Sequence, residues 1–402
     1  MTKGTIGVFG ASGFVGSTLC ERLYFDGKWD FVCFIRSSGN ASRIGRLPVT
    51  IRTVDILDRK QVSDALSKCD VAVNCTLGNN ASMLRGIANL TSAAKSQRLK
   101  KFIHLSSIAI YGQDPAPESA TEEGVPDPGN NDYGIVKLRQ DKIVLDLHHS
   151  GIPSFILCPG NITGPYSPFS RGLVSRLMAG PLPLVDGGSH PSNMIHVDNL
   201  VEAILAAIRS ESGAGERYFV NETRPVSWLD VFEDFYRFLG LKGEYVEVTR
   251  EQVRPFLRES STPAGLKNYL QIGLSGEFRR ALSKLPVLGR LNRAAASGFE
   301  RMSPAVQTKI RERLQWPISV CPTATGPSLN DRYVKVQARR FYHSPEKLAR
   351  KLGWQPPLTY ERGIETTLAW LEFAGIIPAP VHGSSVSEES SLVEAASHRE
   401  RL

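Results

Sequence analysis

Short apolar segments and helical patterns alternate through the first 160 residues, and this alternation constrains the fold more than any other feature. The apolar segments are too short for helices and rich in Val, Ile and Phe, which favours strands. The predicted strands are Thr5–Phe9, Phe31–Ile35, Val49–Val54, Val71–Asn74, Lys101–Ser106 and Pro153–Cys158. The predicted helices are Gly13–Phe25, Arg59–Ser67, Ala81–Gln97 and Asp132–His149. This order predicts an α/β fold with a doubly wound parallel sheet covered by helices on both faces.

A GxxGxxG motif, formed by Gly10, Gly13 and Gly16, directly follows the first predicted strand. The first glycine permits a tight turn, the second lets the backbone approach a pyrophosphate, and the third allows the next helix to pack on the strand. The N–H groups that begin this helix then face the phosphates. Its place between a strand and a helix therefore predicts a Rossmann-type dinucleotide site rather than an ordinary glycine-containing turn.

The second predicted strand ends at Arg36, 20 residues past Gly16. A carboxylate at this point would bind the ribose 2′-hydroxyl of NAD, whereas an arginine accommodates the 2′-phosphate of NADP. Ser37 adds a small hydrogen-bond donor, so NADP(H) is predicted in preference to NAD(H); a solvated surface arginine is the alternative. Asp55, after the third strand, is a candidate acceptor for the adenine amino group, with helix capping or solvation as its alternatives.

Tyr133 and Lys137 are four residues apart and share one face of a predicted helix. A free phenol has a pKa near 10 and is a poor base at neutral pH. A nearby ammonium and a positive nicotinamide ring favour the phenolate, and lowering the pKa from about 10 to about 7 requires roughly 4 kcal/mol. Tyr133 would then accept a proton from an alcohol, or donate one in the reverse direction. An amphipathic helix with no catalytic role is the alternative for this spacing alone.

Two serines, Ser106 and Ser107, stand at the end of the fifth predicted strand, where doubly wound sheets place their ligands. A hydroxyl there can hydrogen-bond the reacting oxygen and orient it; local bonding to the backbone is the alternative. The glycine loop, the strand-end serine and the Tyr–Lys pair follow one another in chain order. Their joint occurrence by chance is much less probable than that of any one alone.

In these motifs the sequence resembles the extended short-chain dehydrogenases/reductases, also called the NAD-dependent epimerase/dehydratase family. The resemblance covers roughly residues 5–240 and resumes at 341–375. It rests on Gly10-xx-Gly13-xx-Gly16, Asp55-Ile56-Leu57-Asp58, Ser106-Ser107-xxx-Tyr111-Gly112, Tyr133-xxx-Lys137, the segment from Cys158 to Pro165, and the segment from Ile195 to Leu200.

The resemblance implies that Ser107 is the catalytic hydroxyl, Tyr133 the acid/base and Lys137 its partner. It also implies that side chains after the strands line the cofactor cleft. The expected cofactor-binding residues are Gly10, Ser12, Gly13, Phe14, Val15, Gly16, Arg36, Ser37, Asp55, Ile56, Asn74, Cys75, Thr76, Ser106, Tyr133, Lys137, Pro159, Gly160, Asn161 and Ile162. A homodimer through the Ala81–Gln97 and Asp132–His149 helices is a further implication.

Departures from the family pattern reduce the number of reactions that the chain is expected to catalyse. Family dehydratases carry an Asp-Glu pair after the catalytic hydroxyl, but here Ile108 and Ala109 occupy those positions and cannot move a proton. Many sugar-nucleotide epimerases hold the diphosphate with an Arg-Asp pair, which is replaced here by Ser192 and Asn193. Dehydration is therefore disfavoured, and a nucleotide-sugar substrate would need another basic residue, such as Arg171 or Arg176.

All of the formal +8 charge of the 402-residue chain arises between residues 250 and 315, where 13 Lys/Arg accompany five acids. Within this window, residues 274–299 mix apolar and basic side chains. They form either a helical insertion with a solvated basic face or a peripheral contact with an anionic membrane or substrate. No aromatic-interleaved basic motif supports nucleic acid binding. Without a metal-ligand cluster, a transmembrane run or CxxC spacing, no metal site is expected, and a cytoplasmic protein is the default.

These observations divide the chain into a cofactor-binding domain (1–165), a substrate lobe (166–380, including the basic insertion 250–315) and a disordered tail (381–402). The favoured function is a ketoreductase or dehydrogenase that transfers hydride between NADP(H) and a keto or hydroxyl group of a sugar-derived or small hydrophobic substrate. A sugar epimerase that retains its cofactor is the alternative within the family. A non-catalytic nucleotide-binding sensor or scaffold is the alternative outside enzymes, although the family's redox-sensing members usually lack the tyrosine.

Overall fold

A computed structural model describes residues 4–113, 115, 117–257 and 329–377. The described residues contain the glycine loop, the serine turn and the Tyr–Lys helix. The amphipathic basic stretch 274–299 and the tail 381–402 lie outside the described residues. Among the helices of the described ranges, none is long and apolar enough to cross a bilayer.

The described chain forms strands and helices close to the predicted positions. The strands are β1 Ile6–Phe9, β2 Phe31–Ile35, β3 Thr50–Thr53, β4 Val71–Asn74, β5 Lys101–Leu105, β6 Ser154–Pro159, β7 Asn161–Thr163, β8 Leu182–Val185, β9 Met194–His196, β10 Arg217–Val220 and β11 Tyr245–Val248. The α-helices are α1 Phe14–Asp26, α2 Arg59–Leu66, α3 Asn80–Ser96, α4 Asp132–His149, α5 Pro168–Leu177, α6 Val197–Arg209, α7 Trp228–Leu239, α8 Arg250–Leu257, α9 Arg332–Lys335, α10 Glu346–Leu352 and α11 Tyr360–Phe373.

Seven parallel strands form the central sheet in the order β10-β6-β5-β4-β1-β2-β3. Strand β1 lies inside the sheet between β4 and β2, where Ile6 is in register with Phe31 of β2 and Val71 of β4. The order of the strands reverses beside β1, and in open α/β sheets ligands bind at such a point. The predicted doubly wound parallel sheet is confirmed.

Helices cover both faces of this sheet, and each face has its own apolar core. On one face α1, α6 and α10 pack around residues such as Leu19, Ile204 and Trp354. On the other face α2, α3 and α4 pack around residues such as Leu90 and Val144. Because both faces are buried, the central strands are apolar throughout, which explains why their sequences do not alternate.

Local capping sets where the key helices begin. The Asn131 side chain accepts a hydrogen bond from the Gly134 N–H at 3.1 Å, which starts α4 just before Tyr133. Ser227 and Asp230 form a reciprocal capping box at the start of α7. Helix α4 has the bounds Asp132–His149 that the sequence predicts.

A second lobe follows β6 and supplies the other wall of the cleft. Its core joins α5, α7, α9 and α11 around Phe169, Trp228, Phe232 and Tyr333. Two small parallel ladders, β7 with β9 and β8 with β11, belong to this part. The chain then returns to the central sheet, where β10 pairs with β6 and forms the edge strand. Residues beyond 165, the predicted domain boundary, thus also contribute to the central sheet.

Candidate active site

The glycine loop connects β1 to α1 with very close backbone approaches. Gly10 has a φ of 81°, and a Cβ there would lie 2.8 Å from the Cys75 carbonyl oxygen. A Cβ on Gly16 would lie 2.2 Å from the Gly10 carbonyl oxygen, so only glycine lets α1 pack here. Gly13 caps α1 without any side-chain hydrogen bond. The N–H groups of the first turn are left for an anion, as the sequence predicts for a pyrophosphate.

The ends of β2 and β3 carry the residues predicted to contact the adenosine half of a dinucleotide. Arg36 and Ser37 are exposed directly after β2. Asp55 is exposed after β3, and its Oδ1 accepts a hydrogen bond from the Leu57 N–H at 2.9 Å. Asp55 therefore stabilises its own turn, while Ile56 packs against α3 at Gly86. The helix cap proposed as an alternative for Asp55 is provided instead by Asp58.

The residues after β4 lie beside the glycine loop. Asn74 is buried, and its Oδ1 accepts a 2.6 Å hydrogen bond from the Thr76 hydroxyl. The Cys75 N–H donates to the Phe9 carbonyl at 2.9 Å, which joins this turn to β1. Burial raises the pKa of the Cys75 thiol to about 12, so it is a neutral wall of the cleft rather than a nucleophile.

Ser107, Tyr133 and Lys137 come together between the end of β5 and the first turns of α4. The Lys137 ammonium nitrogen lies 5.8 Å from the centre of the Tyr133 ring and donates to the Leu105 carbonyl at 2.7 Å. Ser107 Oγ accepts from the Ala109 N–H at 3.2 Å, and Ser107 also hydrogen-bonds the Tyr133 side chain. The local backbone bond that was the alternative for Ser107 is present, and hydrogen bonding of its hydroxyl to the reacting oxygen stays a prediction.

Burial sets the protonation states of this group. Desolvation raises the pKa of Tyr133 to about 12, opposed first by the Ser107 hydrogen bond and then by the positive charge of Arg332. Desolvation also lowers the pKa of Lys137 to about 8, opposed by the negative charge of Asp141. At neutral pH the tyrosine is a proton donor and the lysine is charged beside it.

A buried polar cluster lies below Lys137 and was not predicted. Asp141 is fully buried on α4, where Arg217 of β10 donates to it at 2.9 Å. His104 Nε2 lies 3.8 Å from the same carboxylate, and its Nδ1 lies 3.2 Å from the Asn74 amide. Burial lowers the pKa of His104 well below its usual value, so this histidine is neutral. The positive charges that act on Asp141 are therefore those of Arg217 and Lys137. The cluster connects β4, β5 and β10 to the helix that carries Tyr133.

One sequence signal could have found Asp141. It follows Tyr133 and Lys137 at the next step of four residues, on the same helix face. An aspartate on the buried face of a helix requires a partner, which predicts a paired charge. Its partner Arg217 lies 76 residues away, so sequence spacing alone could not identify it.

The segment predicted to line the nicotinamide and substrate, Pro159–Ile162, runs from β6 into β7. Gly160 is so tightly enclosed that a Cβ would lie 2.0 Å from the Asn193 carbonyl oxygen. The Asn161 side chain donates to the Ser192 carbonyl at 2.8 Å. These contacts place Asn161 and Ile162 at the boundary between the sheet and the second lobe.

Ser192 and Asn193 have structural contacts in this fold. Ser192 is buried and donates to the Val226 carbonyl at 2.8 Å. Asn193 is buried with a φ of 47° and accepts from the His343 N–H at 2.9 Å. Of the two arginines considered as replacements for an epimerase arginine, Arg176 pairs with Asp331 at 3.0 Å, and Arg171 is exposed on α5.

The residues around the glycine loop fit a nicotinamide dinucleotide, because the loop leaves helix N–H groups free at a turn where no side chain caps them. Ser107, which follows β5, and Tyr133 and Lys137, which belong to α4, lie at the same edge of the sheet as the glycine loop. The positive charge of Arg332, an exposed residue of the second lobe that lies in no predicted motif, acts to lower the pKa of Tyr133.

Comparison with known proteins agrees with this geometry. The family described as "NAD dependent epimerase/dehydratase family" matches residues 6–220. A 2-alkyl-3-oxoalkanoate reductase of Shewanella oneidensis is 28% identical over 249 residues, which are 55% of this chain and 62% of the relative. The chain thus spans less than two thirds of that relative.

Two further proteins show the range of the resemblance. A 4-hydroxy-2-methyl-3-oxo-4-farnesyl-3,4-dihydroquinoline-1-oxide ketoreductase of Stigmatella aurantiaca is 24% identical over 259 residues, 61% of this chain and 77% of the relative. The crystal structure of a UDP-glucose 4-epimerase from Thermotoga maritima aligns with a TM-score of 0.62 at 17% identity, over 92% of this chain and 99% of that one. At this identity the structural match supports the fold alone.

Proposed function

The chain belongs to the NAD-dependent epimerase/dehydratase family and is an enzyme of the short-chain dehydrogenase/reductase type, and on this premise we propose that it is an NADP(H)-dependent ketoreductase. The observation that carries the proposal is the Ser107–Tyr133–Lys137 group, in which the Lys137 ammonium nitrogen lies 5.8 Å from the centre of the Tyr133 ring at the end of β5. A protonated tyrosine is ready to give a proton to a ketone. Ketone reduction is also what the names of the Shewanella and Stigmatella relatives state for those proteins.

Each of the three side chains has a distinct task in the proposed reaction. When bound, the nicotinamide cofactor supplies the hydride that adds to the carbonyl carbon. The Tyr133 hydroxyl donates its proton to the carbonyl oxygen, so the C=O double bond becomes a C–OH group. The Ser107 hydroxyl hydrogen-bonds the same oxygen and orients it. The Lys137 ammonium then stabilises the phenolate left on Tyr133.

Tyr133 enters the proposed ketone reduction in its protonated form. Its pKa is raised, so the hydroxyl carries the proton that the carbonyl oxygen receives. In the oxidation of an alcohol the same side chain would first have to become a phenolate.

Two features weigh against a nucleotide-sugar epimerase. The positions that hold the diphosphate in many such enzymes are Ser192 and Asn193, and both are buried in contacts within the chain. Arg176 is neutralised by Asp331. An epimerase also returns its hydride to the same substrate, whereas a reductase consumes one cofactor for each product.

The preference for NADP(H) rests on Arg36. It is exposed at the end of β2, and no carboxylate in the described ranges pairs with it. A homodimer through α3 and α4 remains part of the proposal and rests on the family resemblance.

Cofactor consumption with a ketone tests the proposal. We expect NADPH to be oxidised in a one-to-one ratio with alcohol formed, with NADPH bound more tightly than NADH. Arg36→Ala should weaken NADPH binding by about 10- to 100-fold through loss of a charged hydrogen bond, and leave NADH binding nearly unchanged. Arg139→Ala, an exposed arginine of α4, is the matched control. Sugar interconversion without net NADPH oxidation would contradict the proposal.

A further inference from the structure

Arg339, in the segment that follows α9, is a buried cation without a counter-ion among the described residues. It is 5% exposed, and its Nε has no hydrogen-bond partner in the described ranges. Burial lowers the pKa of its guanidinium to about 10, and no carboxylate of those ranges opposes this shift. Burying a charge without a partner costs free energy, so the demands of packing alone do not explain an arginine at this position.

The guanidinium of Arg339 contacts the turn that carries the catalytic serine. Its Nη2 donates a hydrogen bond to the Gly112 carbonyl at 2.5 Å. Gly112 ends the short helical turn Ile108–Tyr111, which begins at the Ser107 cap. Within this turn, Ser107 Oγ accepts from the Ala109 N–H at 3.2 Å, and the Gly112 N–H donates to the Ala109 carbonyl at 3.1 Å. Because both ends of the turn are bonded to Ala109, a movement of Gly112 displaces Ser107 as well.

The same turn packs directly on the first turn of α4. A Cβ on Gly134 would lie 2.4 Å from the Ala109 carbonyl oxygen, so only a glycine allows this approach. Gly134 directly follows Tyr133, and the Tyr133 side chain is hydrogen-bonded to Ser107. The position of the turn therefore sets how the Ser107 hydroxyl lies relative to the proton donor.

The main chain around Arg339 is fixed to the second lobe on both sides. Before it, the Gln337 side chain donates to the Pro183 carbonyl at 3.0 Å. After it, the Asn193 side chain donates to the Phe341 carbonyl at 3.0 Å. Arg339 thus reaches the catalytic turn from an anchored backbone.

We propose that Arg339 is a positioning residue for ketone reduction, which acts through Gly112 to hold the Ser107 hydroxyl beside Tyr133. A charged, planar guanidinium holds a carbonyl more strongly than a neutral donor does. Ser107 orients the reacting oxygen in the proposed reaction, and a displacement of about 1 Å in such a group can cost about 100-fold in rate. This inference rests on the proposed ketoreductase function.

A double-mutant cycle in the full-length enzyme tests the inference, with NADPH and 2-methyl-3-oxooctanoate as substrates. Arg339→Met should lower kcat on the order of 10-fold and leave NADPH binding unchanged. Ser107→Ala should lower kcat on the order of 100-fold. The double variant should match Ser107→Ala, because both residues act through the same hydroxyl. Losses that multiply to roughly 1,000-fold would overturn the inference, since Arg339 would then act independently of Ser107.

A rescue variant and a matched control accompany the cycle. Arg339→Lys keeps a charged donor and should recover part of the lost kcat. Lys101→Met removes a cation that donates to the Ile208 and Ser210 carbonyls at 2.6 Å, at the other end of β5, and should leave kcat unchanged.

Two results of these variants would also overturn the inference. One is an unchanged kcat in Arg339→Met, and the other is an equal loss of kcat in Lys101→Met. If Arg339→Met does not fold, the cycle is run with Arg339→Gln, which lacks the charge and must show a loss of kcat that disappears in the Ser107→Ala background.

Hydrogen exchange separates this inference from the proposed function. The N–H groups of Ala109, Ile110 and Gly112 are bonded within the turn, and Arg339→Met should speed their exchange about 10-fold. If this holds while the natural enzyme reduces no ketone, the ketoreductase proposal fails and the hold of Arg339 on the turn stands. If ketones are reduced while exchange and kcat are both unaffected by Arg339→Met, the function stands and the positioning role falls.

Discussion

Two arginines act on the titratable groups of α4, and their surroundings are opposite. Arg217 is paired with Asp141 at 2.9 Å below Lys137, where Asp141 is fully buried and the Arg217 side chain is 15% exposed. Arg332 of the second lobe is exposed and has no carboxylate partner in the ranges described, and its positive charge acts to lower the pKa of Tyr133. A charge neutralised within the protein fixes geometry, whereas an exposed charge is screened by solvent. The lower region around Arg217 and Asp141 is therefore the scaffold of the catalytic group.

Removing the carboxylate of the lower region should have the largest effect. Asp141→Asn leaves the mostly buried Arg217 without its counter-ion, and the free energy of unfolding should fall by about 3 kcal/mol. Lys137 loses its nearby negative charge at the same time, so turnover should fall as well. Thermal denaturation with and without NADPH measures the first effect, and steady-state assays measure the second.

An exposed ion pair provides the control for this variant. Glu361 pairs with Arg224 on the surface, where the side chains are 59% and 55% exposed. Glu361→Gln should change the free energy of unfolding by less than about 1 kcal/mol and leave turnover intact. Equal destabilisation by Asp141→Asn and Glu361→Gln would show that the buried cluster is no scaffold.

The pH dependence of reduction tests the role of Lys137, and its effect should be smaller than that of Asp141→Asn. Burial lowers the pKa of Lys137 to about 8, so the ammonium loses its proton as the pH rises through that value. Reduction should be fastest below pH 8 and decline above it, because a neutral lysine no longer stabilises the phenolate. Several groups face this ammonium and tune the midpoint; they are Asp141, His104, Cys75, Cys158 and Tyr133.

A charge-retaining variant provides the check on this pH profile. Lys137→Arg keeps the positive charge at all accessible pH values, so the decline near pH 8 should disappear even where overall activity is lower. A profile for the natural enzyme that stays flat to pH 10 would contradict the assigned role of Lys137.

Much of the cofactor-binding domain could be predicted from the sequence, because its determinants are local. The apolar strands, the helix Asp132–His149 and the spacing of Tyr133 and Lys137 lie within short segments. The glycine loop likewise depends on neighbouring residues. Periodicity and capping chemistry are sufficient at this range.

Long-range contacts explain what the sequence could not give. Asp141 pairs with Arg217 of β10, a strand whose place at the sheet edge depends on the return of the chain from the second lobe. Helix α9 is likewise held on α5 by partners far apart in the chain, because Arg176 pairs with Asp331 and the Tyr333 hydroxyl donates to the Phe169 carbonyl. No local pattern encodes these contacts, since Asp141 and Arg217 are 76 residues apart and Phe169 and Tyr333 are 164 residues apart.

The most direct test of the account is Tyr133→Phe in the full-length enzyme. We expect ketone reduction to fall by about 10²- to 10⁴-fold, because the positioned proton donor is lost, while fluorescence titration gives unchanged NADPH binding. Tyr245→Phe, which removes a hydroxyl bonded to Glu233 in the second lobe, should leave turnover unchanged. Retained reduction in Tyr133→Phe would contradict the assignment of Tyr133 as the proton donor.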